Sequence, residues 1–191
     1  MNLTLAAGQQ NRWECKQFPI KQLIEIDGKT LIERIQWQFG GAVVTHCPEI
    51  LAKSRYVYKP ERYRWTVETL LSTAEFWRDQ QIITLGDVYY TKEAVKTIKD
   101  FKGDMQFFGT EHEIFAISFT DFGGVIKHLK DAVKRLNEII AYPSHGKLWQ
   151  LYRRYHEYNN RIAKIDKNFT YINDKTRDFD DINDLNTWHG K

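Results

Sequence analysis

The sequence predicts an α/β fold with a mainly parallel sheet. Short apolar runs rich in β-branched and aromatic residues alternate with segments of helical spacing, and this alternation continues as far as Phe119. The 191 residues suffice for one well-cored domain but are too few for two of ordinary size. We therefore expect a single domain over residues 1–191, without an internal repeat or a low-complexity linker.

The expected strands are short apolar runs bounded by polar or glycine-containing turns. Before residue 120 they are residues 2–7, 22–26, 42–45, 56–58, 82–85, 105–108 and 114–119. Two further extended segments are expected near residues 162–165 and 169–172.

Helices are expected where apolar residues recur every three or four positions, as Leu31, Ile32, Ile35 and Phe39 do. The predicted helices are residues 30–39, 66–78, 91–101, 125–140 and 147–158. Residues 121–124 are expected to form a loop within the domain. The spacing of Asp181 and Asp184 indicates a last helical turn that begins near Asp181.

Composition excludes several classes of protein. Apolar residues make up 42% of the chain, and no run approaches the roughly 20 residues of a membrane span, so we expect a soluble protein without a secretory signal. Cys15 and Cys47 form neither a disulfide framework nor a zinc motif, which favours the cytoplasm. A net charge of +3 is too small to indicate nucleic acid but suits a ligand with several negative charges.

The first candidate site is the loop Leu5-Ala6-Ala7-Gly8-Gln9-Gln10-Asn11-Arg12. A strand that ends at glycine turns backbone N–H groups toward an anion, and Arg12 adds a planar donor for phosphate oxygens. The loop is neither a Walker loop nor a dinucleotide fingerprint, since Gln10 stands where a second glycine would be. An ordinary turn fits equally well when the loop is taken alone. Lys21 is either a further phosphate contact or a solvated lysine at a strand edge.

Two acidic segments are candidate metal sites. Asp87 follows an apolar run and Gly86, and ligands of open parallel sheets collect at the carboxyl ends of strands. Mg²⁺ takes oxygen ligands and often uses one or two carboxylates plus substrate phosphates. Asp178 and Asp180 point to the same side of an extended segment, so either could supply a second carboxylate. The alternatives are a turn or helix-cap aspartate at Asp87 and a capped surface helix in the acidic tail.

Together these segments resemble the nucleotidyltransferases of the sugar-phosphate and molybdenum-cofactor type, whose fold is shared with many nucleotide-sugar glycosyltransferases. Residues 5–13, 21–23 and 28–32 are similar to the opening signature L-A-A-G-x-G-x-R, P-K-x-L and G-K-P-L-I. Residues 86–87 resemble the Gly-Asp that ends the middle strand. Residues 178–185 resemble the closing signature D-I-D-T-P-E-D-L. The motifs occur in the family's order and span nearly the whole chain.

The resemblance implies a Rossmann-like, three-layer domain with a mainly parallel mixed sheet, of the nucleotide-diphospho-sugar transferase type. It makes residues 1–120 the nucleotide- and metal-binding half, and residues 121–191 the acceptor half with the closing metal-ligand segment. The sequence departs from the signature at three places. Gln10 replaces a glycine, Thr30 replaces a proline, and Pro19 lies two positions before Lys21 rather than next to it.

The resemblance also implies roles for individual residues. Nucleotide binding falls on Ala7, Gly8, Gln9, Gln10, Arg12 and Lys21, catalysis on Arg12, Lys21 and Asp87, and Mg²⁺ binding on Asp87 and Asp180, with Asp178 as the alternative to Asp180. The base is expected against the helix near Thr66. Position alone suggests Glu113, Lys127 and the loop 142–147 for acceptor binding, and each of these could equally be surface.

The implied reaction is Mg²⁺-dependent transfer of a nucleoside monophosphate from a nucleoside triphosphate to a phosphorylated small molecule, with a sugar 1-phosphate as the favoured acceptor. A glycosyltransferase of the same fold, acting on a small-molecule or nucleic-acid acceptor, is the alternative, although Asp87-Val88-Tyr89 lacks the second acid of an Asp-x-Asp motif. Nucleic-acid binding through residues 147–158 is disfavoured, because their aromatic residues recur at helical spacing as a core-facing stripe would. The oligomeric state is left open.

Overall fold

A mixed seven-stranded sheet forms the centre of the molecule. The computed structural model describes residues 1–8, 13, 15–137, 146–158 and 164–188. The strands within these residues are β1 (Leu3–Leu5), β2 (Glu25–Ile26), β3 (Lys29–Thr30), β4 (Ala42–Val44), β5 (Val57–Tyr58), β6 (Gln81–Leu85), β7 (Val88–Tyr89), β8 (Met105–Gly109), β9 (Ile114–Phe119), β10 (Phe169–Tyr171) and β11 (Arg177–Asp178).

The order of the main sheet is β10-β8-β9-β6-β1-β4-β5. Its parallel part is centred on β1, where Leu3 pairs with Ala42 of β4 on one side and with Ile83 of β6 on the other. The edge strands β5 and β10 are parallel to their neighbours, whereas β9 runs antiparallel to both β6 and β8. The expectation of a mainly parallel mixed sheet is confirmed.

Helices cover both faces of the sheet. They are α1 (Leu31–Phe39), α2 (Pro48–Lys53), α3 (Thr66–Ser72), α4 (Lys92–Asp100), α5 (Phe122–Lys134), α6 (Leu148–Tyr155) and α7 (Ile182–Thr187). Short 3₁₀ turns lie at Lys21–Leu23, Ala74–Phe76 and Arg135–Asn137. Among the described residues, no helix has both the length and the apolar character to cross a bilayer.

The alternation of side chains along each strand divides the core into two layers. Ile83 and Phe107 pack with α3, α5 and α6, whereas the neighbouring Ile82 and Phe108 pack with α1 and α4 on the opposite face. All four are buried. Burial of each such side chain contributes about 1.5–3 kcal/mol relative to exposure, so the two apolar faces hold helices on both sides of the sheet. This is the expected three-layer arrangement.

A hairpin connects the opening segment to α1. Strands β2 and β3 pair across a two-residue turn in which Asp27 has φ 53° and Gly28 has φ 74°, and a tight hairpin turn of this type requires positive φ at both positions. Thr30 then caps α1: its hydroxyl accepts from Glu33 N, and the Glu33 carboxylate accepts from Thr30 N. Residues 28–32 therefore contain the end of the hairpin, the N-cap residue and the first two residues of α1.

Several predicted elements are wrong in detail. Residues 22–26 are not one strand, because a 3₁₀ turn at Lys21–Leu23 precedes the short β2. The predicted helix 66–78 ends at Ser72, and a 3₁₀ turn follows. No strand includes residues 164–165, and residues 162–163 lie outside the described chain.

The predicted loop at residues 121–124 is also wrong. Helix α5 begins at Phe122, because the carboxylate of Asp121 accepts from Gly124 N at 2.8 Å and caps the helix. Gly123 and Gly124 therefore lie inside the first turn. Residues 138–140, which the sequence assigned to the end of this helix, lie outside the described chain. Helix α2, with Pro48 at its first turn, was not predicted.

Candidate functional site

A cleft of about 200 Å³ lies at the carboxyl ends of β1 and β6. Gly8, three residues after β1, and Leu85 and Asp87 at the end of β6 form one side of it, together with Lys21. Because β1 and β6 are parallel neighbours, their carboxyl ends meet at the same edge of the sheet. The sequence-based expectation that these segments meet is therefore correct for the described residues.

The opposite side of the cleft comes from elements later in the chain. Thr66 begins α3, Glu113 precedes β9, and Lys147 and Trp149 lie at the start of α6. The indole N–H of Trp149 donates to His112 O at 2.8 Å, which ties α6 to the β8–β9 connection. The wall that carries Glu113 and Lys147 is thus held by a contact between two elements.

The C-terminal segment brings two more carboxylates to the cleft. Strand β11 pairs antiparallel with β7, with Asp178 opposite Val88, and Phe179 N donates to Asp87 O at 3.1 Å. Phe179 is fully buried, so the residues on either side of it, Asp178 and Asp180, both face the cleft. The predicted same-side placement of these two aspartates is confirmed.

The first turn of α7 holds this segment in place. Asp181 caps the helix by accepting from Asn183 N at 2.7 Å, and Asp184 accepts from Asp180 N at 2.9 Å. Asp184 also forms an ion pair with Arg177 at 2.9 Å. The acidic tail thus divides into residues that build the helix cap and residues that face the cleft.

Lys21 lies between two carboxylates. Its Nζ atom is 2.5 Å from Asp87 Oδ2 and 3.4 Å from Asp180 Oδ1, and the lysine side chain is 12% exposed. Burial by itself would lower the pKa of Lys21, but the charges of Asp87 and Asp180 outweigh burial and raise the pKa. Lys21 therefore remains a positive charge that connects the β6 end to the C-terminal segment.

A second acidic group lies beside this lysine. Glu113, Asp178 and Asp180 each offer one carboxylate oxygen, and these oxygens lie within 4.8 Å of one another. Burial raises the pKa of Asp178 to about 7, and the charges of Asp87, Glu113, Asp180 and Asp184 add to the effect. Clustered carboxylates that repel one another in this way suit a hard divalent cation with oxygen ligands, such as Mg²⁺.

The end of β6 is held by a close approach and a buried tyrosine. A Cβ added to Gly86 would lie 2.8 Å from Ala6 Cβ, so only glycine fits beside β1. The hydroxyl of Tyr90 accepts from Leu85 N at 3.1 Å and donates to Phe115 O at 2.5 Å. These contacts fix the backbone that carries Asp87.

The predicted site residues fall into three groups. Gly8, Lys21, Asp87, Asp180 and Glu113 all line the cleft, whereas Ala7 is buried next to it, and Lys127 is an exposed residue of α5 that does not line the cleft. Gln9, Gln10 and Arg12 lie outside the described residues, as do residues 142–145 of the loop suggested for acceptor binding. The individual roles of these residues stay predictions.

The sequence contains only weak signals that Lys147 and Trp149 line the cleft. Lys147 was singled out only as the end of a loop, and Trp149 belongs to a helix whose apolar stripe indicated a core position. The expectation for Trp149 is partly right, because its ring stacks on that of Phe169 with centroids 5.6 Å apart. One side of this residue packs against the protein while another borders the cleft.

No protein-family model and no curated protein sequence matches the chain. Solved structures do match. The CTP:phosphocholine cytidylyltransferase of Streptococcus pneumoniae has a TM-score of 0.63 and 12% identity, with 97% of this chain and 95% of that chain covered. The inositol-1-phosphate CTP transferase of T. maritima has a TM-score of 0.62 and 11% identity, with 97% and 91% covered.

A putative glucose-1-phosphate thymidylyltransferase of Bacillus anthracis is also similar, with a TM-score of 0.58, 12% identity, and 97% and 92% of the two chains covered. At such identities the likeness concerns the fold. The match extends over nearly the full length of each protein. The chain therefore has the nucleotidyltransferase-like fold, which is that of the nucleotide-diphospho-sugar transferases.

Proposed function

We propose that this chain is a Mg²⁺-dependent nucleotidyltransferase. It transfers a nucleoside monophosphate from a nucleoside triphosphate to a phosphorylated small molecule, with a sugar 1-phosphate as the favoured acceptor. The observation that carries the proposal is the position of Lys21 between Asp87 and Asp180 at the carboxyl edge of the sheet. The similar structures named above are transferases of cytidylyl and thymidylyl groups, which supports the same class of reaction.

The donor set at the cleft fits Mg²⁺. The described residues that line it include the carboxylates Asp87, Glu113, Asp178 and Asp180 but the cations Lys21 and Lys147 only, which leaves a formal charge of −2 when all are ionised. We propose that Asp87 and Asp180 hold the ion, as the sequence predicts, with Asp178 as the alternative to Asp180. Glu113 lies close enough to Asp178 and Asp180 to add a further oxygen ligand. When bound, Mg²⁺ neutralises charge on the phosphate oxygens and orients them.

The reaction requires little covalent chemistry from the protein. A phosphate oxygen of the acceptor attacks the α-phosphorus in line, a P–O–P bond forms, and the bond to the β-phosphate breaks with its electron pair leaving on pyrophosphate. The nucleophile is already an anion, so no side chain needs to remove a proton. The protein positions the reactants and offsets their charge.

Lys21 is suited to offset the negative charge of the reactants. The paired carboxylates raise its pKa, and their contacts hold the ammonium group at one place in the cleft. A charge that is fixed before the substrate arrives needs no reorganisation as pyrophosphate leaves. We propose that Lys21 contacts the triphosphate, together with Arg12 and the backbone around Gly8.

The test is a pyrophosphate-release assay with the four ribonucleoside triphosphates and dTTP. Each is combined with sugar 1-phosphates, inositol 1-phosphate and phosphocholine, with and without a chelator. Release that depends on one acceptor and is abolished by the chelator would support the proposal. Turnover of a nucleotide-sugar without pyrophosphate would instead identify a glycosyltransferase of the same fold.

A further inference from the structure

Two lysines line the cleft within the described chain, and their surroundings differ. Lys21 is 12% exposed and contacts both Asp87 and Asp180. Lys147 lies on the opposite wall, its side chain is 40% exposed, and its Nζ atom is 3.1 Å from Glu113 Oε1. Lys147 is thus the more accessible of the two cations.

The proposed reaction requires positive charge on both sides of the cleft. In an in-line displacement, the attacking oxygen and the departing pyrophosphate lie on opposite sides of the α-phosphorus. If the triphosphate binds on the side of Gly8 and Lys21, the acceptor phosphate must approach from the wall of Thr66, Glu113 and Lys147. A phosphate that enters there meets carboxylates, so it needs a cation of its own.

The backbone of Lys147 is well held although its ammonium group is accessible. Lys147 O accepts from Gln150 N at 3.0 Å, and the Gln150 side chain accepts from Gly146 N at 2.8 Å. The indole of Trp149 adds the contact to His112 described above. A side chain on a fixed backbone can change its partner without moving the wall, which suits a binding residue.

Glu113 contacts one cation, Lys147, and lies beside carboxylates that could hold a second. Its carboxylate contacts Lys147, and it also belongs to the group with Asp178 and Asp180 that suits a metal ion. Resting on the proposed function, we infer that Lys147 binds the phosphate of the acceptor and that Glu113 holds the Lys147 ammonium in the cleft until the acceptor arrives. The acceptor class is therefore a phosphomonoester, and the corresponding unphosphorylated alcohol would not be used.

The experiment compares Lys147→Met with Lys147→Arg, and with Lys130→Met as a matched control at an exposed position of α5. In steady-state assays, Lys147→Met should raise the acceptor KM by about 10- to 100-fold, the range for a hydrogen bond to a charged group. The KM for the nucleoside triphosphate should stay within about twofold, because the donor lies on the other wall. Lys147→Arg should keep most of the acceptor affinity, and Lys130→Met should match the wild type.

A second readout does not need turnover. Titration with inorganic phosphate, followed by calorimetry, should show binding to the wild type and to Lys147→Arg that is lost in Lys147→Met. Mg²⁺ should bind Lys147→Met as tightly as the wild type or more tightly, because a cation that competes for Glu113 has been removed. Weaker Mg²⁺ binding would overturn the inference by showing that Lys147 is only structural.

The two proposals fail in different ways. If Lys147→Met raises the KM for the triphosphate and leaves the acceptor KM unchanged, Lys147 is a donor contact, and the proposed nucleotidyl transfer still stands. If the wild type shows no transfer with any acceptor, the proposed function fails. The phosphate titration then decides whether Lys147 binds an anion at all.

Discussion

At the scale of single residues, neighbouring aspartates of the C-terminal segment make different contacts. Asp180 faces Lys21 and the carboxylate group, whereas Asp181 caps α7 through its side chain. Asp180 therefore faces the cleft, whereas Asp181 stabilises the start of α7. The sequence predicts both placements, because an extended chain points alternate residues to one side and the cap spacing marks the start of the helix.

This division gives a matched pair of substitutions. Asp180→Asn keeps the side-chain size but removes a charge from the proposed metal site, so we expect kcat/KM to fall by at least about 100-fold. Asp181→Asn should keep nearly full activity, because asparagine caps helices as well as aspartate does. Pyrophosphate release measures the activity, and thermal unfolding verifies that both variants fold. Full activity in Asp180→Asn would contradict the proposed site.

Asp87→Asn tests the other carboxylate that contacts Lys21. We again expect a loss of at least about 100-fold in kcat/KM with the fold retained, because the charge that faces the lysine disappears while the shape does not. The matched control is Asp79→Asn, at an exposed aspartate that precedes β6 and has a φ of 52°, a conformation that asparagine also adopts. Equal losses in the two variants would mean that Asp87 is merely structural.

Prediction from position alone selects residues whose surroundings in the structure differ. Glu113 and Lys127 were both selected by position in the chain, yet Glu113 lines the cleft and Lys127 does not. Nothing in the local sequence distinguishes a charged residue at a strand start from one on an exposed helix face. Glu113 lies at the cleft because of the register of β8 with β9 and the contact of Trp149 with His112. Both are tertiary features.

At the scale of secondary-structure elements, the end of β6 depends on its close approach to β1. In Gly86→Ala, the new Cβ would lie 2.8 Å from Ala6 Cβ and 3.1 Å from Leu5 O, so the two strand ends must separate. We expect the free energy of unfolding to fall by about 1–3 kcal/mol, together with a loss of activity. In Gly8→Ala, no described atom lies within 4 Å of the added Cβ, and we expect little change in stability. Urea denaturation of both variants is the measurement.

Tyr90 stabilises the same end of β6 through hydrogen bonds of its hydroxyl to Leu85 N and Phe115 O. It is 1% exposed, and burial raises the pKa of its hydroxyl well above the ordinary value. Tyr90→Phe would leave Leu85 N and Phe115 O without this partner, at a cost of about 1–3 kcal/mol in the free energy of unfolding. Tyr171→Phe, at a position 48% exposed on an edge strand, should cost much less in the same denaturation experiment. Equal effects would show that the Tyr90 hydroxyl does not hold β6.

The elements that sequence patterns missed are short ones. Strands β7 and β11 have two residues each, and period-two alternation cannot be recognised over so few positions. Their pairing nevertheless places Asp178 beside Asp87. The local sequence contains no pattern from which this pairing could be predicted. The start of α5 was missed for a different reason, since Gly123 and Gly124 disfavour helix and the Asp121 cap overrides them.

At the scale of the whole molecule, the acidic cleft makes stability depend on pH. Burial and the neighbouring carboxylates raise the pKa of Asp178 to about 7, so the folded protein binds this proton more tightly than the unfolded chain does. Its contribution to stability is fully present below pH 4 and is lost as the pH rises through about 7. In a chelator, Asp178→Asn should therefore be more stable than the wild type at pH 8 and similar to it at pH 4.

The same charges predict how Mg²⁺ acts on the fold. Because the carboxylates repel one another most when all are ionised, Mg²⁺ should raise the unfolding temperature of the wild type more at pH 8 than at pH 5.5. Asp178→Asn should reduce this difference. Calorimetric scans with and without Mg²⁺ test both statements. An equal Mg²⁺ shift at the two pH values would mean that the ion binds elsewhere.

The overall architecture was predictable, because strands and helices alternate as far as Phe119 and the three motifs occur in the family's order over nearly the whole chain. Similarity to solved structures at 11–12% identity agrees with this, since it reflects the arrangement of elements rather than shared side chains. The contents of the cleft were less predictable. Trp149 borders the cleft because α6 packs against the sheet, and no sequence motif marks that packing.

The central claim is that the α-phosphorus of a nucleoside triphosphate is transferred at the site formed by Lys21, Asp87 and Asp180. The most direct measurement follows an α-³²P-labelled triphosphate, with Mg²⁺ and a phosphorylated acceptor, in the wild type and in Asp180→Asn. We predict that the label moves to the acceptor in the wild type, with one unlabelled pyrophosphate released per transfer, and that Asp180→Asn shows no transfer. Label that stays in the triphosphate with every acceptor, or transfer that survives in Asp180→Asn, would contradict the account.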